Sequence, residues 1–196
     1  MKMFASARIL AVGLAASLSL PALAALKAGD VAPDFTAQAS LAGKPFSYAL
    51  KDALKKGPVV VYFYPSAFTA GCNAQAHAFA TNMDKFKAAG ASVVGVSLDS
   101  IARLNDFSAD PNYCAGQLPV ASDVDGKIAK SYDLMVRDAR EGAKDTRGIE
   151  IGHGTAERTT FIVTQDGKVS STIGGVMPTE NVDAALAAVQ ALKTKK

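Results

Sequence analysis

The sequence predicts an α/β protein in which helices cover both faces of a central mixed β-sheet. Residues 58–64 and 91–98 are rich in β-branched side chains without polar alternation, which is typical of strands buried on both faces. A helical pattern separates them, so this βαβ unit should have parallel strands. Near the C-terminus, residues 158–164 and 168–173 flank an Asp-Gly turn. Such a turn predicts an antiparallel hairpin, which makes the sheet mixed.

The elements of the N-terminal half follow from local patterns. Residues 34–36 and 46–48 predict an N-terminal hairpin that extends the sheet. After the first central strand, a helix should run to Gly90, with apolar residues at helical spacing at Ala76, Phe79, Met83 and Phe86. Asp99 and Ser100 predict the cap of a further helix that starts near residue 101.

Shorter elements complete the chain. Residues 119–122 predict a third strand, and a turn at 123–126 leads into a short helix through Ile128, Ala129 and Tyr132. The last helix should be capped by Thr179, and it has one apolar face formed by Val182, Ala185, Leu186, Val189 and Leu192. Parallel strands followed by a hairpin, with helices on both faces, describe a thioredoxin-like fold with an N-terminal β extension.

The N-terminus has the features of a secretory signal peptide. Basic residues precede an apolar run from Ile9 to Leu20, and an Ala-x-Ala site ends at Ala24. We therefore expect residues 1–24 to be removed and residues 25–196 to form one exported domain in the periplasm, without a membrane anchor. The alternative is an uncleaved N-terminal anchor.

Composition argues against several classes of function. The formal net charge is +3, and removal of Lys2 and Arg8 would leave about +1, which gives no basic surface for nucleic acid. The chain has no cluster of Cys, His, Asp and Glu at zinc spacing, no phosphate-binding loop and no dinucleotide-binding glycine pattern. We therefore expect no bound cofactor and no metal.

Cys72 is one of only two cysteines, and it follows a buried strand where a helix begins. The first N–H groups of a helix have no intrahelical acceptor and carry the positive end of its dipole, which favours a thiolate there. Because Cys72 precedes Ala76 by one helical turn, its side chain should face the sheet. This position predicts a reactive thiol.

Four residues together carry a family resemblance. Pro65, Thr69 and Cys72 form the pattern Pro-x-x-x-Thr-x-x-Cys after an aromatic strand, and Arg158 lies in Glu-Arg-Thr-Thr-Phe-Ile-Val. This set resembles the active-site signature of the peroxiredoxins. The resemblance extends from about Gly29 to the last helix. Residues 95–100 and 122–127 are most similar to the bacterioferritin-comigratory, or PrxQ-like, branch. The resemblance implies a thiol peroxidase acting on hydrogen peroxide or small organic hydroperoxides.

The chemistry of peroxide reduction suits these residue types. Arg158 would favour the thiolate and hold a peroxide oxygen with its fork of donors. The Thr69 hydroxyl would turn toward the sulfur and substrate, and Pro65 would shape the loop and shield the thiolate. Taken singly, Thr69 could be only a helix cap, Pro65 only the end of a strand and Arg158 only a surface residue.

The resolving cysteine departs from the family pattern. Many members of this branch carry it five residues after the first cysteine, where this chain has His77. The remaining candidate is Cys114, which the resemblance implies would form an intramolecular disulfide with Cys72, to be reopened by an external thioredoxin-like dithiol protein. Alternatively, Cys114 is an inert buried thiol or half of a permanent structural bond. The branch also implies a monomer or weak dimer.

The sequence gives weaker support to a role for either histidine and to other functions. We interpret His77 as a surface or packing residue, and His153 as part of a mobile loop over residues 138–154 near Arg158. A disulfide oxidoreductase would need Cys-x-x-Cys, but residue 75 is Gln. A cysteine hydrolase would need a histidine base within reach, and neither histidine of the chain is a persuasive candidate. A non-peroxidatic redoxin, acting in disulfide exchange, redox sensing or binding, remains the alternative function.

Overall fold

The computed structural model describes residues 25–194. The predicted signal peptide and its cleavage site lie outside the described residues. Within residues 25–194, no helix is both long and apolar enough to cross a bilayer.

The described residues form nine strands and five helices. The strands are β1 Thr36–Leu41, β2 Lys44–Ala49, β3 Val59–Phe63, β4 Ser92–Ser97, β5 Val120–Ser122, β6 Val136–Arg137, β7 Thr155–Ala156, β8 Thr159–Val163 and β9 Val169–Gly174. The helices are α1 Leu50–Leu54, α2 Ala70–Ala88, α3 Ile101–Ala109, α4 Lys127–Ser131 and α5 Pro178–Lys193.

Seven strands form one mixed sheet in the order β2-β1-β5-β4-β3-β8-β9. Strands β3, β4 and β5 are parallel, whereas β8 pairs antiparallel with β3 and forms a hairpin with β9. Strands β1 and β2 also pair antiparallel. The predicted mixed sheet and both hairpins are therefore confirmed, although the first strand of the N-terminal hairpin begins at Thr36, where its predicted segment ends. Strands β6 and β7 form a separate two-stranded sheet.

A core lies on each face of the sheet. Side chains of β3 alternate between them: Val60 and Tyr62 enter the core beneath α2, α3 and α5, whereas Val61 and Phe63 enter the core beneath α1 and α4. Tyr62 lies across Gly95 of the neighbouring strand, where a Cβ would come within 2.6 Å of the phenol ring. The missing side chain at Gly95 therefore makes room for Tyr62 beneath α2.

The structure differs from the sequence-based expectations at some element ends. Ser100 caps α3 as predicted, because its side chain accepts a hydrogen bond from the Arg103 N–H. The cap predicted at Thr179 is wrong: α5 begins at Pro178, and Met177 is its N-cap residue. Proline suits the first helical position because it has no N–H to leave unpaired and its φ is already helical. The short elements α1, β6 and β7 were not predicted.

Candidate active site

Cys72 lies in the first turn of α2, and its residue is 2% exposed. Strand β3 ends at Phe63, and a short loop carries the chain through the half-buried Pro65 to Thr69, which is the N-cap residue of α2. The sulfur is therefore placed where the free N–H groups of a helix start favour negative charge. The prediction that Cys72 faces inward, toward the sheet, is confirmed.

Arg158 contacts the sulfur directly. Its Nη2 donates to Cys72 Sγ over 3.3 Å. Arg158 immediately precedes β8, whose antiparallel pairing with β3 brings the two ends of the site together. A Cβ on Gly71 would lie 3.3 Å from Nη2, so the glycine leaves space for the guanidinium. The structure thus brings together two residues that are 86 positions apart in the chain.

A buried amide pair holds Arg158 in place. Arg158 Nη1 donates to Gln75 Oε1, and Gln75 Nε2 donates to Asn181 Oδ1 over 3.0 Å. Asn181 in turn donates to the Ile173 carbonyl and accepts from the Thr160 hydroxyl. These partners are neutral, so they orient the guanidinium without cancelling its charge. Sequence reasoning missed Gln75 and Asn181, although Gln75 is a polar residue on the inward face of α2, three positions after Cys72.

Thr69 and Pro65 lie in the same loop but make no hydrogen bond to the sulfur among the described residues. The Thr69 hydroxyl donates to the Ser66 carbonyl over 2.9 Å and makes no side-chain capping bond. Its oxygen keeps lone pairs that can accept a hydrogen bond from a bound peroxide. Thr69 occupies the N-cap position of α2, but its side chain makes no capping hydrogen bond, as it would if it were only a helix cap.

The buried side chain of Asp99 fixes the backbone of the loop between β3 and α2. Asp99 follows β4, is fully buried, and accepts hydrogen bonds from the Ala67 N–H (2.7 Å), the Ser66 hydroxyl (3.0 Å) and the Ser97 hydroxyl (2.7 Å). His153 Nε2 lies 2.8 Å from the same carboxylate. The sequence suggested Asp99 only as a helix cap, whereas its side chain organises the loop between Pro65 and Cys72.

The Asp99–His153 pair shifts the pKa of both members. Burial raises the pKa of Asp99, but hydrogen bonds from His153 and Ala67 outweigh it and hold the pKa below its usual value. Burial lowers the pKa of His153, but the bond to Asp99 outweighs it and raises the pKa above 6.5. Ser66 also approaches Nε2, at 3.5 Å. Because serine and aspartate meet the same ring nitrogen, this is not a Ser-His-Asp hydrolase triad.

The segment 138–154 is anchored, contrary to the expectation of a mobile loop. Asp145 is buried and accepts from Arg103 Nη2 over 2.8 Å. The Thr146 N–H donates to the Phe68 carbonyl over 2.9 Å, which ties the segment to the loop that carries Thr69. Buried charge pairs and a backbone hydrogen bond therefore fix a stretch whose composition alone is typical of a flexible loop.

Cys114 lies in a turn after α3 and is fully buried in the same core as Cys72. Both thiols are free. Burial, assisted by Asp110, raises the pKa of Cys114 well above its usual range and favours the neutral thiol. His77 is exposed and its Nδ1 lies 3.1 Å from the carbonyl of Asn112, two residues before Cys114. It is a surface residue, as expected.

Tyr62 stands near both sulfurs. Burial raises the pKa of its phenol well above the usual value, and the nearby Cys114 and Cys72 raise it further. Its ring stacks on Phe79 with centroids 4.5 Å apart, and its hydroxyl has no hydrogen-bond partner among the described residues. A neutral aromatic side chain thus lies in the core that the two cysteines share.

Residues 28–172 match the model of the AhpC/TSA family. The chain belongs to this family. Peroxiredoxin Bcp of Escherichia coli is 32% identical over 144 residues, covering 74% of this chain and 83% of the relative. Together with the Arg158–Cys72 contact, these matches place the chain among the peroxiredoxins of the bacterioferritin-comigratory branch, which are thiol peroxidases.

Solved structures agree with this assignment. Peroxidoxin BcpB from Mycobacterium tuberculosis superposes with a TM-score of 0.70 at 28% identity, covering 85% of this chain and 98% of the other. The bacterioferritin comigratory protein of Xanthomonas campestris, whose structures concern alkyl peroxide reduction, has a TM-score of 0.63 at 29% identity, covering 80% and 91%. The thioredoxin-like fold of this peroxiredoxin is therefore confirmed.

The Asp99–His153 pair gives a pH-dependent prediction. Because the pKa of His153 is raised in the folded state, its contribution to the free energy of unfolding is fully present below pH 6.5 and is lost as the pH rises through the raised value. In urea unfolding from about pH 5.5 to about pH 9, the stability difference between the wild type and His153→Gln should shrink as the pH increases.

His77→Gln controls for the loss of a histidine at an exposed position. A difference between the wild type and His153→Gln that stays constant across this range would show that the pair does not titrate as described.

Proposed function

We propose that this peroxiredoxin reduces hydrogen peroxide or small organic hydroperoxides through a Cys72 sulfenic acid. The observation that carries the proposal is the 3.3 Å contact between Arg158 Nη2 and Cys72 Sγ at the start of α2. The guanidinium can stabilise both the attacking thiolate and the negative charge that develops on the departing oxygen. The alkyl peroxide activity named for the X. campestris relative supports the inclusion of organic hydroperoxides.

In the first step, the Cys72 thiolate attacks the terminal oxygen of the peroxide. An S–O bond forms and the O–O bond breaks, which leaves Cys72 as a sulfenic acid and releases an alcohol, or water from hydrogen peroxide. Arg158 would hold the departing oxygen with its donors, and the Thr69 oxygen would accept a hydrogen bond from the peroxide hydroxyl. The departing oxygen would take up a proton from solvent as it leaves. Pro65, which has no N–H, would close the loop side of the pocket.

In the second step, Cys114 condenses with the sulfenic acid to form an intramolecular disulfide. An S–S bond replaces the S–O bond, and the thiol proton leaves with the hydroxyl as water. Cys114 is the only other cysteine in the chain, and it shares a core with Cys72. A disulfide needs Cα atoms roughly 4.4–6.8 Å apart, and we propose that the segments carrying these two free, buried thiols rearrange to reach it.

The third step regenerates the thiols. An external thioredoxin-like dithiol protein would reopen the disulfide by thiol–disulfide exchange, with the protein as a monomer or weak dimer. Both electrons come from this reductant, so the cycle needs no bound cofactor.

The reaction of the reduced protein with hydrogen peroxide tests the proposed cycle. When reduced protein meets one equivalent of hydrogen peroxide, we expect rapid loss of both thiols and a product lighter by two hydrogens, measured by thiol titration and intact mass. Cys114→Ser should stop at a sulfenic acid, trapped by dimedone, and should lose turnover with a thioredoxin-like reductant.

Cys72→Ser is the matched control and should not react. Oxidation of the wild type no faster than that of an unstructured thiol would contradict the peroxidase and favour a non-peroxidatic redoxin. A Cys114→Ser variant that still turned over with the dithiol protein would contradict only the resolving role of Cys114.

We also propose that the mature protein acts in the periplasm after cleavage behind Ala24. Residues 1–24 support this by their sequence pattern. Cell fractionation and N-terminal sequencing should find a periplasmic protein that begins at Ala25. A protein that stays in the membrane fraction with its N-terminus intact would contradict this.

A further inference from the structure

Phe68 adopts an unfavourable backbone conformation directly beside the site. Its φ is 60°, in the left-handed region that residues other than glycine rarely occupy. It precedes Thr69 and lies four residues before Cys72. Such a conformation persists only where surrounding contacts enforce it, and it often marks a functional constraint.

Arg103 of α3 donates to the Ala67 carbonyl over 3.0 Å, and the segment 138–154 supplies further contacts that hold this conformation. The Phe68 carbonyl accepts two hydrogen bonds from Thr146, from the N–H over 2.9 Å and from the hydroxyl over 2.8 Å. The Arg147 guanidinium carbon lies 3.2 Å from the centroid of the Phe68 ring. Thr146 and Arg147 thus hold the backbone and the ring of the same residue, and we call this pair the Phe68 clamp.

The clamp is itself fixed to the protein interior. The buried Asp145 carboxylate accepts from Arg147 Nη2 over 2.9 Å and from Arg103 Nη2 over 2.8 Å. Arg103 also pairs with Asp99 at 2.8 Å, and Asp99 holds the Ala67 N–H of the loop. The clamp therefore belongs to one network of charges that joins α3, the end of β4 and the loop before Cys72.

The Phe68 ring also packs against the segment that carries Cys114. Its centroid lies 5.0 Å from that of Phe107 and 5.8 Å from that of Tyr113, both in edge-to-face geometry. Tyr113 is the chain neighbour of Cys114. Phe68 thus contacts the clamp and the Cys114 segment at the same time, so a rearrangement of the loop before α2 or of the Cys114 segment would disturb these contacts.

We propose that Thr146 and Arg147 are positioning residues that slow the condensation of the Cys72 sulfenic acid with Cys114 by holding Phe68 in place. This inference rests on the proposed two-cysteine cycle. Once the clamp loosens, Phe68 can relax to an ordinary backbone conformation and its ring can leave Tyr113. The Cys114 sulfur then reaches Cys72, the S–S bond forms, the S–O bond breaks, and water leaves. The clamp thereby lengthens the time that the protein spends in the arrangement that reacts with peroxide.

Two pairs of variants separate the clamp from a general structural role. Thr146→Val removes the hydroxyl that bonds to the Phe68 carbonyl, whereas Thr146→Ser keeps it. Arg147→Gln removes the charge over the ring, whereas Arg147→Lys keeps the charge but loses the planar guanidinium. Arg140→Gln makes the same substitution at an exposed position of the same segment.

Rapid-quench mixing with hydrogen peroxide resolves the two steps. Samples quenched at millisecond times, with sulfenic acid trapped by dimedone and free thiols alkylated, give one rate constant for oxidation of Cys72 and one for disulfide formation. We expect disulfide formation to be at least about threefold faster in Thr146→Val and Arg147→Gln. Arg147→Lys should be intermediate, and Thr146→Ser and Arg140→Gln should match the wild type.

Two further readouts should move in step with these rates. Amide hydrogen exchange at residues 66–69 should be faster in the clamp variants, because the loop opens more often. Under excess peroxide, the same variants should accumulate less sulfinic acid, because faster condensation leaves less sulfenic acid to oxidise.

Rates of disulfide formation in Thr146→Val and Arg147→Gln that equal or fall below that of Arg140→Gln would overturn the clamp while leaving the two-cysteine cycle intact. Slower oxidation of Cys72 with no gain in disulfide formation would identify a merely structural role and would also overturn it. A wild type that forms no Cys72–Cys114 disulfide would overturn the cycle and the clamp together.

Discussion

The contact between the Arg158 guanidinium and the Cys72 sulfur is the interaction on which the site depends. It requires the antiparallel pairing of β8 with β3, because that register brings Arg158 to the start of α2. It also requires the buried amides of Gln75 and Asn181, which orient the guanidinium while leaving its charge for the sulfur. The mixed sheet, the helix start and the amide pair together place a fixed cation beside a nearly fully buried nucleophile, where its effect on charge is strongest.

The loop between β3 and α2, which precedes Cys72, is held by charged side chains rather than by amides. Asp99 fixes the Ala67 N–H, and Asp145 fixes the two arginines that flank the Phe68 ring. Removing one partner from such a buried network leaves another charge unpaired, which is costly. The loop between β3 and α2 is therefore held firmly while both thiols are free, although the proposed disulfide formation would move it. In the proposed mechanism, the first network polarises the peroxide and the second controls the shape of the loop.

The sequence predicted most of the fold because its central elements have clear periodicity. Strands β3 and β4 are continuous apolar runs, and α2 shows its buried face from Ala76 to Phe86. The spacing of Pro65, Thr69 and Cys72 indicated where the site lies, since these residues are local to one strand end and one helix start. Gln75, Asn181 and the clamp residues could not be found in this way. Their roles come from partners that the fold brings together from distant parts of the chain, and a glycine-rich stretch of mixed charge gives no local sign of being anchored.

The central claim is that Arg158 makes Cys72 an efficient nucleophile toward peroxide, and the second-order rate constant for oxidation of Cys72 by hydrogen peroxide tests it most directly. The account predicts that Arg158→Gln lowers this constant by about 100-fold, as expected when a preorganised donor to developing charge is removed. Arg140→Gln should leave it unchanged. A rate constant for Arg158→Gln within about threefold of the wild type, in a variant that remains folded, would contradict the account.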